Sequence, residues 1–214
     1  MRKIDLMVFD FDGTLVHSGS DLSNSVNYAL EKLGIPVLAT ETIMGFVGDG
    51  VMKLIERSLG VQHRERFDEA MKIFRDYYAQ HLLDTTALYP GVIDVLEHFS
   101  GTTKLIITNK LYEYTLKIAD ALGIAPYFEE IIGMDSLPMK KPDRDLLVPL
   151  MDRYGAGESH TVVIGDGIND ILLARNSGAL SCALLNGLGT RDALLSLKPD
   201  YWCEDIREVK GLFE

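Results

Sequence analysis

Two spacings of apolar residues alternate along most of this chain. Short runs in which nearly every position is apolar occur at 4–9 (Ile-Asp-Leu-Met-Val-Phe), 103–107 (Thr-Lys-Leu-Ile-Ile), 161–164 (Thr-Val-Val-Ile) and 179–184. A weaker run lies at 130–132. Runs of this length are strand-sized, and strands buried on both faces read as continuous apolar segments. Between them the apolar spacing lengthens to three and four, giving helical patterns over Leu111 to Leu122, Asp145 to Tyr154 and Ile168 to Ser177. Short strands alternating with helices predict βαβ units, and therefore an α/β fold with a parallel sheet and helices on both faces.

Residues 18–86 break the alternation. Leu22, Val26, Ala29, Leu30 and Leu33 form one helical face, and Val51, Leu54, Ile55, Ser58 and Leu59 repeat the spacing. Phe67, Met71, Phe74, Tyr78 and Leu82 extend it over a longer stretch, and no strand signal interrupts the region. The pattern predicts an all-helical module at 18–86, inserted into a core made of 1–17 and 87–214. Its hinges fall near Thr14–Ser20 and Asp84–Gly91, the second containing Tyr89-Pro90-Gly91. A single irregular α/β domain is the alternative organisation.

Composition narrows the classes. The 214 residues are 47% hydrophobic and 25% charged, ordinary proportions for a globular chain with room for a core domain and a smaller one. No apolar run approaches the roughly 20 residues that span a bilayer. Met1-Arg2-Lys3 starts like a signal peptide, but Asp5 and Asp10 interrupt any apolar core of one. Two cysteines, Cys182 and Cys203, make neither a disulfide framework nor a zinc site, which suits a reducing cytoplasm. A net charge of −11 argues against a sequence-independent grip on nucleic acid. It leaves open whether so acidic a chain acts on an anion.

Acidic residues cluster where the predicted strands end. Asp10-Phe11-Asp12-Gly13-Thr14 follows the first strand, which is where open α/β sheets place ligands. Two carboxylates two residues apart can converge there, and Gly13 permits a tight turn whose N–H groups can face an anion. An ordinary acidic turn is the other reading of the same residues. Gly165-Asp166-Gly167-Ile168-Asn169-Asp170 repeats the arrangement after Thr161–Ile164. Carboxylates gathered at one point repel, and a hard divalent cation such as Mg²⁺ relieves the conflict. A capped strand–turn–helix junction is the alternative. Val47-Gly48-Asp49-Gly50 has the same texture but follows no strand, and reads as a loop of the inserted module near the substrate. At two further loops, Thr108 can bind a phosphate oxygen and Lys141, beside Pro142, can supply positive charge.

Taken in order, these elements resemble the haloacid dehalogenase-like hydrolases. The likeness runs from Asp10 to Asp170 and includes the helical insertion, which is similar to that family's cap. It is nearest to phosphoglycolate phosphatase-type members, on Gly45-Phe46-Val47-Gly48-Asp49-Gly50-Val51 and Tyr89-Pro90-Gly91-Val92. The resemblance implies a Rossmann-like core and a Mg²⁺-dependent phosphatase acting on a small phosphate ester. Asp10 would attack phosphorus and Asp12 would serve as general acid and base. Gly13, Thr108, Asn109 and Lys141 would hold the phosphate. Asp10, Asp12 (through its backbone carbonyl) and Asp166 would bind Mg²⁺, with Asp170 supporting the site from behind. His17 and Arg144 stand where many relatives have Asp and Pro. A phosphosugar mutase and a phospho-accepting regulatory domain are the competing readings. The mutase-like His-x-x-x-Trp pattern is absent from Ser18 to Glu31. No membrane or nucleic-acid partner is expected, and the chain would be a monomer or homodimer.

Overall fold

The apolar runs become the strands of one parallel sheet. The computed structural model describes residues 1–214. In chain order the elements are β1 (Leu6–Phe9), β2 (Val16–His17), α1 (Gly19–Lys32), α2 (Thr40–Met44), α3 (Val51–Leu59) and α4 (Phe67–Tyr78). Next come β3 (Ala87–Leu88), α5 (Val92–His98), β4 (Thr103–Ile107), α6 (Tyr112–Ala121), β5 (Glu130–Ile132) and α7 (Arg144–Tyr154). The last are β6 (Thr161–Gly165), α8 (Ile168–Ser177), β7 (Leu180–Leu184), α9 (Arg191–Ser196) and β8 (Tyr201–Cys203).

Six strands pair in the order β5-β4-β1-β6-β7-β8, every pairing parallel. β1 is central, and all four of its side chains are fully buried. Alternation along it feeds two cores. Leu6 and Val8 face Leu147, Leu150 and Leu173 of α7 and α8. Met7 and Phe9 face the opposite layer, with Val95, Leu96 and Ile118 of α5 and α6. From β1 the chain builds outward through β4 to β5, then returns to the other side with β6. Such a reversal opens a crevice beyond the strands' carboxyl ends.

Between β2 and β3 every regular element is helical. The apolar faces lie inward, with Leu22, Val26, Ala29, Leu54, Ile55, Phe74 and Tyr78 all buried. This apolar set is continuous with the Met7–Phe9 core. β2 and β3 themselves form a small antiparallel ribbon, Val16 opposite Leu88 and His17 opposite Ala87. The ribbon, α2 and β8 escape the apolar pattern because two to five residues carry too little periodicity. Helices α5 and α9 are likewise short. His17, an open question from the sequence, is exposed on the ribbon with its ring edge-on to Tyr89 at 5.7 Å.

Candidate active site

Strand geometry delivers the acids to one place. The Asp10 N–H donates to the Ile164 carbonyl (2.9 Å), carrying the ladder one residue beyond β1 and placing Asp10 beside the loop after β6. Gly13 then turns with φ of +88°, and a Cβ there would sit 2.1 Å from Asp166 Oδ2. Only glycine satisfies both the angle and the approach. Thr14 Oγ1 donates to Asp166 Oδ1 (2.8 Å), while the N–H groups of Leu188 and Gly189 donate to its Oδ2 (2.7 and 3.3 Å). In the first turn of α8, Asp170 Oδ2 accepts from the Gly167 N–H (2.9 Å). Lys141 Nζ bridges Asp10 Oδ1 (2.7 Å) and Asp170 Oδ1 (2.6 Å).

One carboxylate oxygen from each of Asp10, Asp166 and Asp170 lies within 4.8 Å of the others, and all three residues are buried. Three carboxylates thus face one ammonium. Burial and the neighbouring Asp170 push Asp10 up to about 8, against the downward pull of Lys141. Burial and Asp170 likewise push Asp166 up to about 6. Burial alone would lower Lys141, but Asp10 and Asp170 outweigh it and hold the ammonium above its usual range. An all-oxygen donor set carrying surplus negative charge fits a hard divalent cation.

Asp12 faces the other way. Its oxygens accept from Lys110 Nζ (3.1 Å each), and Oδ1 also accepts from Ser18 Oγ. The Asp12 carboxylate therefore lies outside the three-acid cluster, in keeping with an expected metal contact through its backbone carbonyl alone. Lys110 Nζ further donates to the phenol oxygen of Tyr78 (2.6 Å). Burial drives the Tyr78 phenol up to about 12. For Lys110, burial pulls downward, but Asp12 and Tyr78 prevail and raise it.

One expected phosphate contact needs correction, and at a second, Asn109, only the main-chain N–H stays open to an anion. The Gly13 N–H is occupied by the Val16 carbonyl (2.9 Å), because the turn folds back toward β2. The Asn109 amide donates to the Gly48 carbonyl (2.9 Å), binding the loop before α3 to the loop after β4. What remains open to an anion is main chain: the N–H groups of Phe11, Asp12 and Asn109 donate to no protein acceptor. Thr108 Oγ1 accepts from the Lys110 N–H (3.1 Å), so its own hydrogen is free to donate. Lys141 is buried, whereas its neighbour Lys140 is exposed.

These groups meet a cavity of about 60 Å³. Asp10, Asp12, Thr108 and Lys110 form part of its wall, and Leu22, Val47, Leu54 and Phe74 of the helical segment form much of the rest. Gly48 and Asp49, expected near the substrate, latch onto the core through Asn109 and Asn169, whose amide meets Asp49 Oδ1 at 2.8 Å. Thr14, Ser18, Tyr78 and Lys110 have no role at the site that the sequence alone assigns. Lys110 adjoins Thr108 and Asn109, and Tyr78 carries the hydroxyl on an otherwise apolar stripe.

A profile of the haloacid dehalogenase-like hydrolase family matches residues 7–184. A phosphoglycolate phosphatase of Vibrio parahaemolyticus is 34% identical over 217 residues, covering 97% of this chain and 95% of that one. A phosphoglycolate phosphatase of Chromobacterium violaceum is 34% identical over 221 residues, covering 100% and 98%. Among solved structures, a predicted phosphoglycolate phosphatase from Haemophilus somnus superposes with a TM-score of 0.93 at 29% identity, covering 99% of both chains. A haloacid dehalogenase-like family protein from Streptococcus pneumoniae gives 0.87 at 30% identity, covering 98% of both.

Proposed function

The chain belongs to the haloacid dehalogenase-like hydrolase family, and on that footing we propose that it is a Mg²⁺-dependent phosphatase of a small phosphate monoester such as 2-phosphoglycolate. One juxtaposition carries the reading. A buried carboxylate, Asp10, stands among free main-chain donors, the Thr108 hydroxyl and the Lys141 ammonium, with two more acids beside it. The phosphoglycolate phosphatases at 34% identity support the substrate class.

Phosphoryl oxygens are received by the N–H groups of Phe11, Asp12 and Asn109, by Thr108 and by Lys141. Asp10 Oδ attacks phosphorus; its bond to phosphorus forms as the ester P–O bond breaks, and the Asp12 carboxyl passes its proton to the departing oxygen. Water then attacks the aspartyl phosphate, giving its proton to Asp12 as the Asp10–phosphorus bond breaks and phosphate leaves. Asp10, Asp166 and the backbone carbonyl of Asp12 would hold Mg²⁺, with Asp170 acting through Lys141. When bound, the ion supplies positive charge that offsets the acids and the transferring phosphoryl. The helical segment 18–86 serves as the cap, excluding water over the cavity and shaping the space for the leaving group.

Phosphate release from a panel of small esters, with and without Mg²⁺, tests the proposal. Release should require Mg²⁺, include 2-phosphoglycolate, and vanish in Asp10→Asn. Unchanged turnover in that variant removes Asp10 as nucleophile. A persistent aspartyl phosphate with no release would instead make the chain a phospho-accepting switch.

A further inference from the structure

Asp12 is held by groups that straddle the boundary between the sheet and the helical segment. Ser18, its first partner, directly precedes α1, so it belongs to the start of that segment. Lys110, its second, lies in the loop after β4, and Tyr78, the last residue of α4, holds Lys110 from the other side. The Lys110 ammonium has three hydrogens and three acceptors here: both Asp12 oxygens and the Tyr78 phenol. It keeps no donor spare for a substrate. Lys110 and Tyr78 are buried, and the Asp12 side chain is only 11% exposed. Water therefore does little to fix the carboxylate's orientation.

We propose that Lys110 and Tyr78 are positioning residues that hold Asp12 aimed at the leaving oxygen, and that Tyr78 makes this alignment depend on the helical segment being packed over the strand ends. The inference rests on the phosphatase reading of Asp12. With α1 and α4 in place, Ser18 and the Tyr78–Lys110 pair grip the carboxylate from two directions. With the segment displaced, Lys110 loses the phenol and Asp12 loses Ser18. Proton delivery is then confined to the closed arrangement, in which the ester is shielded from solvent.

Leaving groups of different basicity provide the test. An alkyl ester must receive the Asp12 proton as its P–O bond breaks, because a free alkoxide is a poor leaving group. A p-nitrophenyl ester departs as the phenolate and needs no proton. The quantity to read is kcat/KM, which covers steps through departure of the leaving group and is blind to later hydrolysis of the aspartyl phosphate. Tyr78→Phe and Lys110→Met should lower kcat/KM for 2-phosphoglycolate and ethyl phosphate about tenfold or more, with less than about a twofold change for p-nitrophenyl phosphate. Equal loss on all three esters would mean a packing role and overturn the proposal. Loss confined to 2-phosphoglycolate would also overturn it, making Lys110 the partner of the substrate carboxylate. Tyr78→Phe keeps the ring and removes one oxygen, so it decides the matter alone if Lys110→Met fails to fold. A wild-type chain that releases phosphate from none of the three overturns the phosphatase reading, and this inference with it.

Discussion

Asp10 is the residue at which burial and charge are most at odds. Its carboxyl is raised to about 8 and that of Asp166 to about 6, so without a cation the folded protein binds protons that the unfolded chain, at about 4, has released. Stability changes with pH as protons bound unfolded minus protons bound folded, and here that difference is negative. Metal-free protein should therefore lose stability as pH rises from about 4 toward about 8 through these groups. Asp10→Asn should flatten that part of the slope, which denaturant unfolding in chelator at several pH values will show. A steeper slope in the variant would contradict the assignment. Gly13 is the second sharp position. Gly13→Ala should cost about 1–2 kcal/mol for its left-handed angle and more for the collision with Asp166, read from the denaturant midpoint. The acids and Gly13 were legible because each lies within a few residues after the end of a predicted strand. Lys110 was not: it meets Asp12 across 98 positions, and a lysine read alone belongs to solvent.

Among the elements, the helical segment is closed by a clasp. Asp21, in the first turn of α1, accepts from the N–H and hydroxyl of both Thr85 and Thr86, just before β3. Burial pushes its carboxyl upward, but these four donors prevail and lower it. Ionised Asp21 therefore stabilises the fold above about pH 4, and the contribution is lost as pH falls through its lowered native value. Asp21→Ala should cost about 2–4 kcal/mol near neutrality, since buried donors lose their acceptor. The gap to wild type should narrow below about pH 4, in unfolding curves taken from pH 7 to 3. Elements with a long apolar period were readable in advance: α6, α7 and α8 fall within a residue of their predicted bounds. β8 was not, because Tyr201 is half-buried and Trp202 exposed, so an edge strand of three residues shows no apolar run.

At the scale of the whole molecule, the charge of −11 divides into two parts. Three buried acids are compensated by a single lysine, a surplus that suits a cation, and the remainder is solvated surface that slows rather than aids an approaching anion. A cation that binds only the folded site stabilises the entire chain. Mg²⁺ at about 100 times its Kd should add about 2.7 kcal/mol. For a chain of this size that raises Tm by about 5–10 °C. The rise should disappear in Asp166→Asn, as a thermal melt with and without Mg²⁺ will register. The β2–β3 ribbon reaches beyond stability. It holds the two connections to the helical segment side by side, about 5 Å apart, as neighbouring strands lie. From the sheet's side, everything between Val16 and Leu88 is one long loop with fixed ends. The pairing of β1 with β4 and β6 is made outside that stretch, so a change of length within it need not shift the strand register. A different set of helices joined at those two ends would change the wall of the cavity while Asp10, Asp166 and Asp170 stayed on the strands and helix that carry them.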